Sequence, residues 1–169
     1  MSPHLLLGTI ELNRNGPERA IDHFERARDL APGDPTPHTF RGIALAQLGR
    51  QIEALGSVQR ALRLNPRASS LSVMSSVLGG LYANTGRMDE AVQMWERGRA
   101  ENPDLIMVRL NLADHHQSHG RPEEAAALVR EVLRVQPDLT ADEVFRRGIT
   151  ARVADAESYR SNLRAAGLP

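Results

Sequence analysis

Ala20-Ile-Asp-His-Phe24-Glu-Arg-Ala27-Arg-Asp-Leu-Ala-Pro32 is a phrase that returns three more times in this 169-residue chain. Its anchors recur as Ala54, Val58, Ala61 and Pro66, as Ala91, Trp95, Gly98 and Pro103, and as Ala125, Val129, Val132 and Pro137. A small residue stands twelve positions before each phrase: Gly8, Gly42, Gly79 and Ala113. Intervals inside the four copies are identical, and only the step from Pro66 to Pro103 exceeds the 34-residue period, by three residues. A fixed period of this length is the mark of stacked repeats, in which each unit buries its apolar face only against its neighbours.

The residue types follow from the packing such a unit needs. Small residues at Gly8, Gly42, Gly79 and Ala113, answered by Ala20, Ala54, Ala91 and Ala125, let the two helices of a hairpin approach closely. Phe24, Val58, Trp95 and Val129 are expected to pack against the next hairpin. Pro then stands just beyond the second helix, which it cannot continue. Asn15-Gly16, Gly49-Arg50, Gly86-Arg87 and Gly120-Arg121 mark the turns, with the first Gly displaced by one residue. The spacing predicts hairpins at about 3–30, 36–64, 71–101 and 106–135, and no sheet. The inserted residues fall in Arg67-Ala-Ser-Ser-Leu71, where Ser69 or Ser70 would cap a lengthened third hairpin.

This pattern resembles the tetratricopeptide repeat family, with copies at 1–34, 35–68, 72–105 and 106–139. The resemblance implies an all-α fold, a right-handed superhelical solenoid of four helical hairpins. Some slots depart from the family. The aromatic residue early in the first helix is replaced by His4, His38, Ser75 and Arg109, and only the third copy keeps a later Tyr, Tyr82. Arg41 stands where the other copies have Leu7, Leu78 and Leu112, which makes the second hairpin the least regular.

Residues 140–169 form a separate element, expected to cap the last hairpin because a solenoid's final apolar face needs cover. Thr140-Ala-Asp-Glu143 is a capping box opening a short helix through Arg147, closed by Gly148. A second helix is predicted from an Asp155 N-cap through Tyr159, Leu163 and Ala166 to Gly167. The closing phrase from Asp155 to Pro169 is similar to the carboxyl end of bacterial signalling proteins in which an adenylate cyclase-like or winged-helix output domain precedes tetratricopeptide repeats. That similarity implies the regulatory or scaffold end of a larger protein. Helix one starts at once after Met1, so Leu5, Leu6 and Ile10, with Ile21 and Phe24, are expected to leave an apolar end that meets an upstream domain or a second copy in a homodimer.

Composition narrows the function classes. Hydrophobic residues make up 41% and aromatics 4%, which suits an aliphatic, alanine-rich helical core. Formal net charge is zero, an argument against nucleic acid or an anionic membrane as partner. All 21 basic residues are Arg and none is Lys, a usage that points to a GC-rich bacterial source. No Cys occurs, so thiol and disulfide chemistry are excluded. No apolar run spans a bilayer and no signal-peptide layout opens the chain, so a cytoplasmic location is expected.

In stacked hairpins the first helices line the concave surface. One face at helical spacing gives Leu5, Thr9 and Leu12; Thr39, Ile43 and Gln47; Ser76, Gly80 and Asn84; and Leu110, Asp114 and Gln117. This face is apolar and neutral-polar. Family members that grip chaperone tails clamp a terminal carboxylate with Lys, and no Lys is present, so an extended or helical peptide or a partner domain fits better. A face that binds nothing tightly reads the same residues equally well, and the alternative function is a structural element that self-associates through its uncapped ends.

Catalytic constellations are missing. Gly79-Gly80 lies within a helix without a Lys, Glu123-Glu124 opens a helix where acids suit the dipole, and Ser75 and Ser76 have no His at a supporting interval. His115 and His119 share a helical face and are a weak metal pair with no third ligand at fixed spacing. No cofactor is expected, and the reading is of a chain that is not an enzyme.

Overall fold

The computed structural model describes residues 2–66, 71–146 and 156–169. Ten helices and no strand are found among them. α1 (Pro3–Asn13) pairs with α2 (Pro17–Leu30), α3 (Pro35–Gln47) with α4 (Gln51–Leu64), α5 (Leu71–Asn84) with α6 (Met88–Glu101), and α7 (Ile106–Ser118) with α8 (Pro122–Val135). α9 (Ala141–Arg146) and α10 (Ala156–Ala165) follow. The hairpin bounds agree with those derived from the repeat spacing to within one residue. Ser69 and Ser70, and in the tail Arg147, Gly148 and Asp155, lie outside the described residues.

Local signals set these limits. Pro occupies the first turn of α1, α2, α3 and α8, where its missing N–H has no helical partner to lose. Asp34 caps α3 by accepting the Thr36 amide at 2.8 Å. The inter-helix turns are one motif built four times: Gly49, Gly86 and Gly120 take positive φ of 74°, 78° and 70°, and Asn15 takes 60°. The amides of Gly16, Arg50, Arg87 and Arg121 then reach back to Glu11, Leu45, Tyr82 and His116 at 2.9 Å. The apparent displacement of the first Gly is therefore no shift of register. Asn15 holds the left-handed position itself, which Asn tolerates better than other side chains.

Inside the first three hairpins the glycine of the first helix lies beneath a larger residue of the second. A Cβ on Gly8 would meet Cε1 of Phe24 at 2.5 Å, and one on Gly42 would meet Cγ2 of Val58 at 2.3 Å. The expectation that Phe24, Val58 and Trp95 serve mainly the next hairpin is corrected: each first fills the hollow over the glycine of its own hairpin. Phe24 also stacks on Phe40 of α3, with ring centroids 5.7 Å apart. Trp95 is fully buried in the cluster that joins α6 to α7 and α8. Arg41, at the irregular slot, reaches across the joint to Glu25 of α2 at 3.1 Å.

Successive first helices touch, α1 with α3, α3 with α5 and α5 with α7, while successive second helices make no comparable contact. The stack therefore curves with its first helices inside. At its end the Thr140 hydroxyl accepts the Glu143 amide at 3.2 Å, opening α9. Gly167 at φ 102° closes α10, and the Leu168 amide returns to Leu163 at 2.9 Å. α10 packs along α7, with Tyr159 and Leu163 buried.

Candidate partner-binding surface

The inner face is built by residues that the first helices turn away from their own second helices. Helical geometry divides the sequence-derived candidates into two groups. Leu5, Thr39, Ser76 and Leu110 stand three residues before the small residue of each copy, share its side of the helix, and are buried. Gly80 is buried as well. Thr39 turns its hydroxyl onto the Pro35 carbonyl at 3.1 Å and offers little to a ligand. Thr9, Leu12, Ile43, Asn84 and Gln117 are half-buried, and Gln47 is exposed. These six hold the accessible part of the face. It remains neutral, with branched apolar groups between side-chain amides.

The chain itself occupies the face at the fourth hairpin. Tyr159 of α10 donates its hydroxyl proton to Oδ1 of Asn111 at 2.9 Å, and Nδ2 of Asn162 donates to Oδ1 of Asp114 at 2.8 Å. Asn111 and Asp114 are almost completely buried beneath them. Sequence reading placed Tyr159 on an apolar stripe and gave Asn162 no role. A single Asn in a short amphipathic helix carries no spacing signal, so only its partner across 48 residues reveals it.

The apolar end of α1 is narrower than its composition suggests. Leu5, Ile21 and Phe24 are withdrawn into the core, with Leu5 only 6% exposed, and Ile10 is half-buried. Leu6 and its neighbour Leu7 stay open at 47% and 44%. The residues equivalent to Leu7 in α5 and α7, Leu78 and Leu112, are buried.

His115 and His119 do face each other, with ring centroids 4.2 Å apart. Nδ1 of His119 donates to the His115 carbonyl at 2.8 Å, which draws that ring toward its own backbone. Among the described residues no group of three or more His, Asp or Glu is placed to hold a metal ion. A different pair comes together that spacing did not suggest: Nδ1 of His4 and Nδ1 of His23, from α1 and α2, lie 3.2 Å apart. Burial holds the His38 imidazole below its ordinary pKa, reinforced by Arg28, Arg60 and Arg41 and opposed by Asp34. His116 is likewise lowered, first by burial and then by Arg121.

No described helix is long and apolar enough to cross a membrane. The tetratricopeptide repeat profile matches residues 5–69, and a second profile of the same description matches 106–131, together more than half the chain. Human protein O-mannosyl-transferase TMTC1 is 33% identical over 98 residues, 54% of this chain and 11% of that protein. The wheat (Triticum aestivum) Hsp70-Hsp90 organizing protein is 28% identical over 109 residues, 64% of this chain and 18% of that protein. The chain thus spans less than a fifth of the length of either relative. Among solved structures, the Cut9 and Hcn1 hetero-tetramer of APC/C superposes with a TM-score of 0.74 at 17% identity, covering 98% of this chain and 29% of that one. YrrB, described as a TPR protein with an unusual peptide-binding site, superposes with a TM-score of 0.61 at 19% identity, covering 97% and 83%. With four copies of one hairpin in register, matched by the family's profile in both halves, the chain belongs to the tetratricopeptide repeat family.

Proposed function

We propose that this chain is a non-catalytic protein interaction module that holds an extended or helical peptide, or one face of a partner domain, against its first helices. The observation that carries the reading is the row Thr9, Ile43, Gln47 and Asn84 on the open inner face. Leu12 and Ile43 on that face bury a partner's side chains, and the exposed amide of Gln47 can satisfy its backbone. The peptide-binding site in the description of YrrB, and the organizing role in that of the wheat relative, favour the same class of activity. The four copies at 1–34, 35–68, 72–105 and 106–139 form the binding stack, and 140–169 seals its far end. The similarity of the closing phrase to bacterial signalling proteins supports a regulatory or scaffold role within a larger cytoplasmic protein with an adenylate cyclase-like output domain.

The test is selection of a displayed peptide library on the purified chain, followed by calorimetry with the selected peptide. Ile43→Glu and Gln47→Ala should each weaken it about tenfold. A selected peptide that ignores both substitutions binds elsewhere and defeats the groove reading.

A second reading, structural self-association, is favoured by the exposure of Leu6 and Leu7. Sedimentation decides it. Concentration-dependent dimer that Leu6→Glu abolishes supports it, and a wild type that stays monomeric at high concentration removes it.

A further inference from the structure

The histidine pair of the first hairpin belongs neither to the repeat signature nor to the inner face. Nδ1 of His4 in α1 and Nδ1 of His23 in α2 lie 3.2 Å apart, with the ring planes 30° from parallel. In this hydrogen-bonded form one imidazole donates and the other accepts. The separation is also close to one edge of a zinc tetrahedron, because two Zn–N bonds of about 2.0 to 2.1 Å at the tetrahedral angle hold their nitrogens about 3.3 to 3.4 Å apart. If the donating ring takes the tautomer protonated at Nε2, both Nδ1 lone pairs are free for one cation. A small turn of each ring then aims them at it. Both rings are half-buried, so a cation reaches them from solvent. Arg19, one turn before His23, is held by Glu11 at 2.9 Å, and Arg26, one turn after, is exposed where solvent screens it.

The pair stands at the uncovered end of the stack. His23 has the repeat position of Ser57, Met94 and Leu128, and Leu7 that of Leu78 and Leu112. Met94 of α6 packs into the apolar cluster of the preceding hairpins, and Ser57, Leu128, Leu78 and Leu112 are buried. No earlier helix of this sequence gives the first hairpin that cover. Leu7 is 44% exposed, with Leu6 beside it at 47%. His4 and Leu7, three residues apart, share a side of α1.

Among the described residues no third His, Asp or Glu joins the two imidazoles to hold a metal ion. Two protein nitrogens leave half of a tetrahedral zinc sphere open. A second copy related by a two-fold axis through the metal supplies the other two nitrogens, and the same contact covers the exposed leucines of both copies. We propose that His4 and His23 of two copies share one zinc(II) ion between the open ends of their stacks, so that this face is a metal-dependent homodimer interface. Imidazole suits zinc(II), copper(II) and nickel(II) alike, and the tetrahedral edge selects zinc. The proposal rests on the self-association reading and adds to it a metal that the association requires.

The test is sedimentation velocity of the intact chain over a range of concentration, in chelator and in zinc(II). A monomer in chelator and a dimer in zinc(II), retaining one zinc per pair of chains, is the expected result. His4→Gln/His23→Gln should weaken the zinc-linked dimer about tenfold or more, while His119→Gln, in the other histidine pair, should leave it intact. Cobalt(II) gives a second readout on the wild type, should the double variant fold poorly: the visible absorption of a tetrahedral site is expected. The spectrum of an octahedral, water-rich site overturns the proposal. So does zinc held by a monomer, no zinc binding, or a zinc-linked dimer that is lost in His119→Gln instead. A dimer that is equal in chelator and in zinc(II), and that Leu6→Glu abolishes, overturns the metal bridge and leaves the self-association reading standing. A monomer under both conditions removes both.

Discussion

A Cβ placed on Gly79 would lie 2.3 Å from Nε1 of Trp95. The indole rests directly on the glycine's backbone, and the third hairpin closes around that contact. Two glycines in helices therefore answer oppositely to alanine. Gly79→Ala should destabilise the chain by about 1 to 3 kcal/mol, because the indole and its packed surroundings must shift. Gly56 in α4 meets nothing within 4 Å, and Gly56→Ala should stabilise by about 0.5 to 1 kcal/mol through helix propensity alone. Urea unfolding of both variants checks the pair of signs.

Trp95 is fully buried where the third and fourth hairpins meet. Trp95→Ala should cost about 3 to 5 kcal/mol, since helices on both sides cannot close a hole of that size. A blue-shifted indole emission in the native chain and a large fall in urea midpoint in the variant are expected. Emission typical of indole in water would contradict the position.

Tyr159→Phe keeps the ring and removes the proton that Asn111 accepts, leaving a buried amide oxygen short of that donor. A loss of about 1 to 3 kcal/mol is expected, read from the urea midpoint. Replacing Asn111 with Leu in the same background should recover part of it, because both polar partners are then gone. A neutral Tyr159→Phe would mean that apolar contact alone seats α10.

The folded chain disfavours protonation of His38 and His116, whose pKa values are both lowered. The unfolded chain then binds more protons from just above the ordinary histidine value down to the depressed ones, so stability falls as pH drops through that window. Thermal midpoints measured from about pH 7.5 to about pH 5.5 should decline, and less steeply in His38→Asn and His116→Asn. A wild-type midpoint that rises on acidification would reverse the assignment.

Repeat number, hairpin limits and the fully helical class were legible in the chain because Pro, Gly and small residues are backbone signals. Each acts within a turn or two of its own position, and four copies repeat the message. Gly8, Gly42 and Gly79 were read correctly as sites of close approach, but their partners were not. A residue twelve positions on and one sixteen positions on both lie on the facing helix, and only the crossing geometry selects Phe24, Val58 and Trp95. The inner face was half legible for a similar reason: spacing identifies one side of a helix, and crossing angle decides which part of that side remains open.

By itself, then, the sequence determined that this protein is a row of similar helical hairpins, because local backbone preferences are repeated in one register. Tertiary structure alone decided which side chains are available to a partner. The Asn162 bond to Asp114, the meeting of His4 with His23 and the exposure of Leu6 depend on contacts between segments far apart in the chain. Such contacts are chosen by how whole helices stack, and no spacing within one helix encodes them.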